Sequence, residues 1–246
     1  MIIDSHIHLK HGDAAKTEYS PETIVAMMDS AGIDKAVVFA MSTTTSHSIQ
    51  MAQDARAKFP DRLIPYVYAL PHYERPVLSE IRNAITGLGF RGIKIHYVEC
   101  SLAPHIIDPV IQLAGQLKVP CLIDFGGQMQ AVERLARTFP QTRMIVAHMG
   151  LYQSRDEGLI DRCISLAETY SNLYLDISGV LLTHKVTEAI DRLSSERVLW
   201  GSDGPHPQPS ITQFIRTERE KVTSLRLSPA EEEALLGGSI ASLLDL

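Results

Sequence analysis

One pattern constrains this chain more than any other: short β-rich runs alternate with helical runs along its whole length. The strand-like runs lie at residues 2–7, 35–40, 63–70, 90–96, 120–125, 143–148, 173–178 and 197–203. Segments 21–31, 46–59, 76–87, 109–117 and 129–139 between them carry helical apolar spacing. Such alternation implies βαβ units and a parallel sheet. Runs such as VVFA and CLIDF are apolar on both faces, as in strands of a helix-covered parallel sheet. Eight repeats in 246 residues match a closed (β/α)8 TIM barrel, which takes about 250 residues. The chain is therefore read as an α/β protein with one barrel domain over residues 1–246. An open doubly wound sheet is the weaker architecture, because no GxGxxG follows the first strand.

Helix punctuation agrees with this reading. Ser20-Pro21-Glu22 is an N-cap with proline at the first helical position. Ser228-Pro229-Ala230-Glu231 opens a last helix the same way, with Glu231 placed as capping-box partner. Gly32, Gly87 and Gly89 sit where helices should end. No linker or low-complexity stretch interrupts the series. The Thr-rich loop 41–48 is the most polar connection and a natural cover for a site.

Composition excludes several classes. With 45% hydrophobic and 21% charged residues the chain builds a large core and is not disordered. A net charge of -6 offers no basic nucleic-acid surface. No run approaches the roughly 18 apolar residues of a membrane span. The start, MIIDSHIHLK, has neither the basic nor the long apolar region of a secretory signal. A cytoplasmic location is expected. Cys100, Cys121 and Cys163 are odd in number, widely spaced and without a CxxC, which fits reduced thiols. Cys121 lies in an apolar run, and no Cys-His signature supports Cys100 as a nucleophile.

Barrel enzymes draw their catalytic groups from the C-terminal ends of several strands, so each strand end is a test. The first ends in Asp4-Ser5-His6-Ile7-His8. Residues two apart share a strand face, so His6 and His8 point together, as half of a metal site would. The plain alternative is a pair of core histidines. The fourth ends in Lys94-Ile95-His96. An inward lysine needs an anionic partner or a lowered pKa; Lys94 would hold a substrate carboxylate or carry a carbamate, unless it reaches solvent. His96 is a candidate for metal or substrate. The fifth ends in Asp124-Phe125-Gly126-Gly127, a carboxylate that needs a metal, a partner or a capping role. The sixth places His148 after Met144-Ile145-Val146-Ala147, and the seventh carries Asp176 and Ser178 as supporting groups. The eighth ends in Gly201-Ser202-Asp203-Gly204-Pro205, with His206 in the loop beyond as a substrate-binding candidate. Polar residues placed at random would not favour the same end of each strand.

Imidazole and carboxylate donors without thiolate suit a divalent metal, zinc first and manganese second. A catalytic metal keeps a position open for water and lowers its pKa from about 15.7 to about 7. Asp203 then serves as general base, and His148 and His96 polarise a carbonyl or stabilise an oxyanion. These parts serve hydrolysis of an amide, ester or lactone. The same parts also serve decarboxylation.

The chain resembles the amidohydrolase superfamily, and most closely the group that includes dicarboxylate lactonases and aromatic-acid decarboxylases. The resemblance runs nearly end to end. It rests on Asp4 through His8, Gly92 through His96, Pro120 through Gly126, Ala147 through Gly150 and Gly201 through Pro205. It implies a (β/α)8 barrel with one or two divalent metals. It makes His6, His8 and Asp203 metal ligands, and His148 a ligand or proton-transfer group. In the family the fifth strand usually ends in a metal-binding His; here Asp124 stands there. Asp124 is taken as a further metal ligand, one that makes the site more anionic. Gly238-Ser239-Ile240 also stands in place of the family's Gly-Asn-Ala. The resulting expectation is a metal-dependent hydrolase, with a metal-dependent decarboxylase and an inactive small-ligand-binding barrel as alternatives. Lys94, His96 and His206 are assigned to substrate, which Lys94, His72 and His206 suggest is a small anion. Neither nucleic acid nor membrane is a partner, and a homodimer is compatible with the sequence.

Overall fold

Strands β1 (Ile3–Lys10), β2 (Lys35–Ala40), β3 (Leu63–Tyr68), β4 (Gly92–His96), β5 (Cys121–Asp124), β6 (Met144–Val146), β7 (Leu173–Asp176) and β8 (Val198–Leu199) form one sheet in chain order. This is the arrangement of the computed structural model, which describes residues 1–246. All seven ladders are parallel. The ring closes where β1 meets the chain leaving β8. There the Ser5 amide donates to the Trp200 carbonyl at 3.2 Å, the Asp203 amide to His6 at 2.9 Å and the His8 amide to Gly204 at 2.7 Å. The Asp4 carboxylate accepts the Ser202 amide across the same seam at 3.0 Å.

Helices α1 (Pro21–Ala31), α2 (Thr45–Lys58), α3 (Leu78–Leu88), α4 (Pro104–Leu117), α5 (Met129–Thr138), α6 (Glu157–Thr169), α7 (Thr183–Leu193) and α8 (Ile211–Ser224) follow the strands in turn. The architecture is the (β/α)8 TIM barrel that the alternation requires. The chain ends with α9 (Pro229–Glu233) and α10 (Ser239–Leu244). Ser20 caps α1 by accepting the Thr23 amide, and Gly32 ends it in the left-handed region. Both halves of the Ser228–Glu231 capping box are formed. Several boundaries differ from the sequence reading, two of them at a glycine or proline. α3 runs on to Leu88 and ends at Gly89 rather than Gly87. α4 starts at Pro104, and Pro109 lies inside it. At Pro104 the missing amide hydrogen is one the first turn does not use, and the fixed φ suits a helix start.

Two apolar layers hold the sheet. Outside it, Ile7, Val38, Val67, Ile93, Ile123 and Val146 pack against helix residues such as Ile24, Ile81, Ile107 and Val132. Inside, Ile3, Phe39, Tyr66, Tyr68, Leu122, Ile145 and Leu199 fill the barrel, and α10 adds Ile240, Leu243 and Leu244 to that inner cluster. The barrel is thus a packed core rather than a pore. No helix is long and apolar enough to cross a membrane. All three cysteines are buried and unpaired.

At the C-terminal ends the strands are shorter than their apolar runs. β6 stops at Val146 and β8 at Leu199 because the chain leaves extended geometry there. His148, Met149 and Asp203 adopt φ of 59°, 48° and 62°. Left-handed conformations at non-glycine residues cost on the order of 1–3 kcal/mol each and collect where function over-determines them. β1 does the opposite: it continues to Lys10, with register shifts against β2 between Asp4 and Ile7 and between His8 and Lys10.

Candidate metal and catalytic site

The polar strand ends converge on one point. His6 and His8 project inward from β1, and Asp203 reaches them from the turn after β8. Asp203 Oδ1 lies 3.0 Å from His6 Nε2 and 2.9 Å from His8 Nε2. The other ring nitrogen of His6 is engaged from β7: Nδ1 is 3.0 Å from Asp176 Oδ2 and 3.2 Å from Ser178 Oγ. Ser178 Oγ in turn donates to Asp176 Oδ2 at 2.5 Å. Two groups of potential metal ligands result, His6–His8–Asp203 and His6–His148–Asp176, all buried.

Glycine makes this approach possible at one position in particular. A Cβ on Gly201 would come within 2.7 Å of the His6 Cβ and 2.9 Å of Asp176 Oδ1. Any side chain there would drive β8 away from the first histidine.

His148 stacks on His6, with ring centroids 5.2 Å apart. Its Nδ1 is 2.9 Å from both the carbonyl and the hydroxyl oxygen of Ser178. A carbonyl only accepts, so Nδ1 carries the hydrogen and Nε2 presents its lone pair. That Nε2 sits 3.7 Å from Asp124 Oδ2. Asp124 also meets His96, whose Nε2 is 3.1 Å from the same oxygen, while Asp124 Oδ1 accepts the Gly126 amide at 2.9 Å. The Val98 amide donates to His96 Nδ1 at 3.2 Å. Both nitrogens of His96 are therefore occupied. Lys94 is fully buried, with Nζ 3.0 Å from His6 Nε2 and 5.1 Å from the centre of the Phe39 ring.

These contacts set the protonation states. Burial opposes the Asp203 carboxylate, but His6, His206 and His8 hold its pKa well below the ordinary value. Burial likewise opposes Asp124, and the His96 hydrogen bond with the charges of His148, His96 and Lys94 brings it down. Burial lowers Lys94 against the pull of Asp124, Asp203 and Asp176. Burial lowers His148 and, more strongly, His8. His6 alone among these rings is raised: burial and the Lys94 charge work against its imidazolium, and the charge of Asp203 with hydrogen bonds to Asp176 and Asp203 overcomes them.

Above this constellation lies a cavity of about 380 Å3. His8, Lys94, His96, Asp124, His148 and Asp203 line it, joined by Tyr97 and Tyr152.

The sequence of residues 3–246 matches the family model described as amidohydrolase. The chain belongs to the amidohydrolase family. No curated protein sequence matches it. Solved structures share its fold at low identity. An amidohydrolase from Burkholderia multivorans with bound zinc superposes with a TM-score of 0.77 at 15% identity, over 100% of this chain and 99% of the other. A probable 2-pyrone-4,6-dicarboxylic acid hydrolase from Acinetobacter baumannii with citric acid bound gives 0.77 at 15%, over 100% and 99%. A dihydroxybenzoic acid decarboxylase from a Polaromonas species, with manganese and 2-nitroresorcinol bound, gives 0.74 at 16%, over 100% and 97%.

The donor set of this amidohydrolase fits a divalent cation. With the Nδ1 hydrogen of His6 donated to Asp176, Nε2 turns a lone pair toward Asp203 Oδ1 at 3.0 Å. A proton on that ring, which its raised pKa favours, joins the two in the metal-free chain, and a divalent cation would take the proton's place. Charge balance points the same way. The cavity wall and its backing set the buried Asp124 and Asp176 and the partly buried Asp203 beside one ammonium, that of Lys94, an excess of carboxylate that a divalent ion would offset. Asp4 is buried as well, but burial pushes its carboxyl up to about 7.

Of the eight residues singled out from sequence, six line the cavity. His6 sits directly behind it. His206 lies to one side, its ring 4.8 Å from that of His11 and 4.7 Å from Phe214, with Nε2 3.6 Å from Asp203 Oδ2. His72 is exposed and outside the cavity. Asp124 belongs to neither metal-ligand group; its partner is His96. Sequence reasoning overlooked His11, Tyr97 and Tyr152. Face parity hides His11, five residues from His6, because the register shift after His8 moves it onto the inner side. Tyr97 is hidden by the turn after β5: Gly126, at φ 55°, leaves room for the Tyr97 ring, which a Cβ would meet at 2.3 Å.

Proposed function

We propose that this amidohydrolase is a metal-dependent hydrolase acting on an amide, ester or lactone bond of a small anionic organic substrate. The observation that carries the reading is Asp203 Oδ1 within 3.0 Å of His6 Nε2 and 2.9 Å of His8 Nε2, with His6 held from behind by Asp176. These three residues would hold the metal, and the carboxylate–histidine support is the arrangement that orients metal ligands. Zinc is the first expectation and manganese the second; the similar folds carry one or the other. When bound, such a cation polarises a carbonyl and acidifies a water.

The chain's own groups supply the rest. Asp203, kept ionised, accepts a proton through the carboxylate oxygen not shared by His6 and His8. His148 presents Nε2 to the cavity with its tautomer fixed by Ser178, so it orients a donor group of the substrate and moves a proton at that atom. Lys94 draws a substrate carboxylate toward the inner end of the cavity. Tyr97 and Tyr152 provide flat walls and exclude water. The volume of about 380 Å3 suits a substrate of modest size.

Decarboxylation of a small carboxylic acid is the second reading. It is favoured by Lys94, which would direct a carboxylate at the metal position, and by the dihydroxybenzoic acid decarboxylase of similar fold. Elemental mass spectrometry on wild type and on His6→Ala/His8→Ala tests the shared premise: near-stoichiometric zinc or manganese, lost in the double variant, supports it. Incubation with lactones and aromatic acids, followed by assay of CO2 and of ring-opened products, separates the two reactions. A protein that takes up no metal and turns over neither class would sink both.

A further inference from the structure

A third histidine, His11, directly follows β1. His11 is buried, and its ring stacks on His8 with centroids 4.4 Å apart and planes 15° apart. Its Nε2 lies 2.6 Å from the Pro205 carbonyl oxygen, two residues beyond Asp203. A carbonyl accepts only, so this nitrogen carries the hydrogen and donates it. On its far side the ring approaches His206 at 4.8 Å, and His206 meets Phe214 of α8 edge-on at 4.7 Å. Tyr19 closes the remaining flank, edge-on at 5.8 Å. The column His8–His11–His206–Phe214 thus runs from the cavity to an outer helix.

The position has a mechanical consequence. His8 belongs to β1 and Asp203 to the turn after β8, so their 2.9 Å approach depends on the barrel seam. Backbone bonds fix that seam as far as Gly204, whose carbonyl takes the His8 amide. Beyond it the chain bends away through Pro205, and His11 is the side chain that ties this exit back to β1. It also presses on His8, whose buried Nδ1 has no hydrogen-bond partner to fix the ring's tilt. Stacking between Phe39, edge-on at 4.7 Å, and His11 then sets the ring orientation.

We propose that His11 is a positioning residue that clamps the exit of β8 to β1 and fixes the His8 ring against Asp203. As it concerns the metal, this rests on the ligand reading above; as it concerns the backbone, it does not. His206 belongs to the same clamp, which explains why it stands beside the cavity and not in its wall.

The test uses His11→Ala, His11→Phe and His11→Gln in the full chain. His11→Phe keeps the ring and removes the donor, and His11→Gln offers an amide donor without the ring. Hydrogen exchange of the metal-free protein should show the amides of His8, Asp203 and Gly204 exchanging on the order of tenfold faster in the alanine and phenylalanine variants. Amides of Ile93 and Ile95 in β4 should be unchanged. Cobalt(II) affinity by chelator competition should fall about 10- to 100-fold, with altered visible bands of the cobalt protein, and His11→Gln should recover part of the loss. Exchange at Asp203 and Gly204 unchanged in His11→Phe would overturn the proposal. So would uniformly faster exchange throughout the barrel, which would make His11 an ordinary core residue. Should wild type take up no cobalt, the ligand reading fails, while the exchange data still decide the role of His11.

Discussion

At the N-terminal end of the barrel, Ile240, Leu243 and Leu244 of α10 cluster with Ile3, Tyr66 and Leu199, all buried. Toward the C-terminal end, β1, β4, β5 and β7 carry His6, His8, Lys94, Asp124 and Asp176, equally buried but polar or charged. Three non-glycine residues there, His148, Met149 and Asp203, sit in left-handed backbone conformations. Apolar burial at about 25 cal/mol per Å2 stabilises the first end. Desolvated charges weaken the second; positive φ at non-glycine residues does not distinguish the ends, since Lys118, Ser194 and Asp245 at the floor share it. The difference teaches that one sheet separates the two tasks along its axis: its floor holds the fold together, and its mouth is free to hold groups that a core would reject.

Four changes can break or sharpen that contrast. The largest effect is expected from His6→Ala combined with His8→Ala, which should abolish metal uptake and activity while circular dichroism remains that of a folded barrel. An unfolded double variant would show that the mouth, too, is structural. At the floor, Leu243→Ala should destabilise by about 2–5 kcal/mol, read as a drop of about 2–4 °C in Tm per kcal/mol, with metal content per folded chain unchanged. Loss of metal in that variant would couple the two ends.

Asp124→Asn should cost about 1.5–3 kcal/mol, the value of a hydrogen bond to a charged group, because it removes the carboxylate that accepts from His96 Nε2. Its pKa is depressed in the fold from an ordinary 3.8. Its contribution is therefore complete above that value and is lost as pH falls through it toward the folded pKa. Melting of the metal-free protein followed downward from pH 5 should show a decline in wild type that the asparagine variant lacks; parallel curves would refute it. The smallest effect belongs to Ser228→Ala, which removes the α9 cap and should cost about 1 kcal/mol without touching the mouth, as thermal melting and metal analysis would show.

Legibility in the sequence followed the same division. The barrel was readable because strand and helix periodicities are local, and the apolar runs of the floor carry them without interruption. At the mouth, His6, His8 and Asp203 were readable because each stands at the end of such a run. Asp176 was visible only as a supporting group, since its partner His6 lies 170 positions away. The fifth-strand Asp124 was expected as a ligand from its place in the pattern; the fold sets it beside His96, because β4 and β5 pair these two residues directly in register.

The sequence by itself determined the eightfold alternation, the inward parity of His6 and His8, the helix caps at Ser20 and Ser228, and the strand ends at which chemistry could reside. These follow from backbone periods and from hydrogen bonds between near neighbours. Only the tertiary structure decided that His11 joins the inner face after a register shift, that His206 packs against it beside the cavity, and that Ser178 fixes the tautomer of His148. Each depends on which strands become neighbours and where the chain leaves extended geometry. Those are consequences of closing the barrel, and no local window of residues contains them.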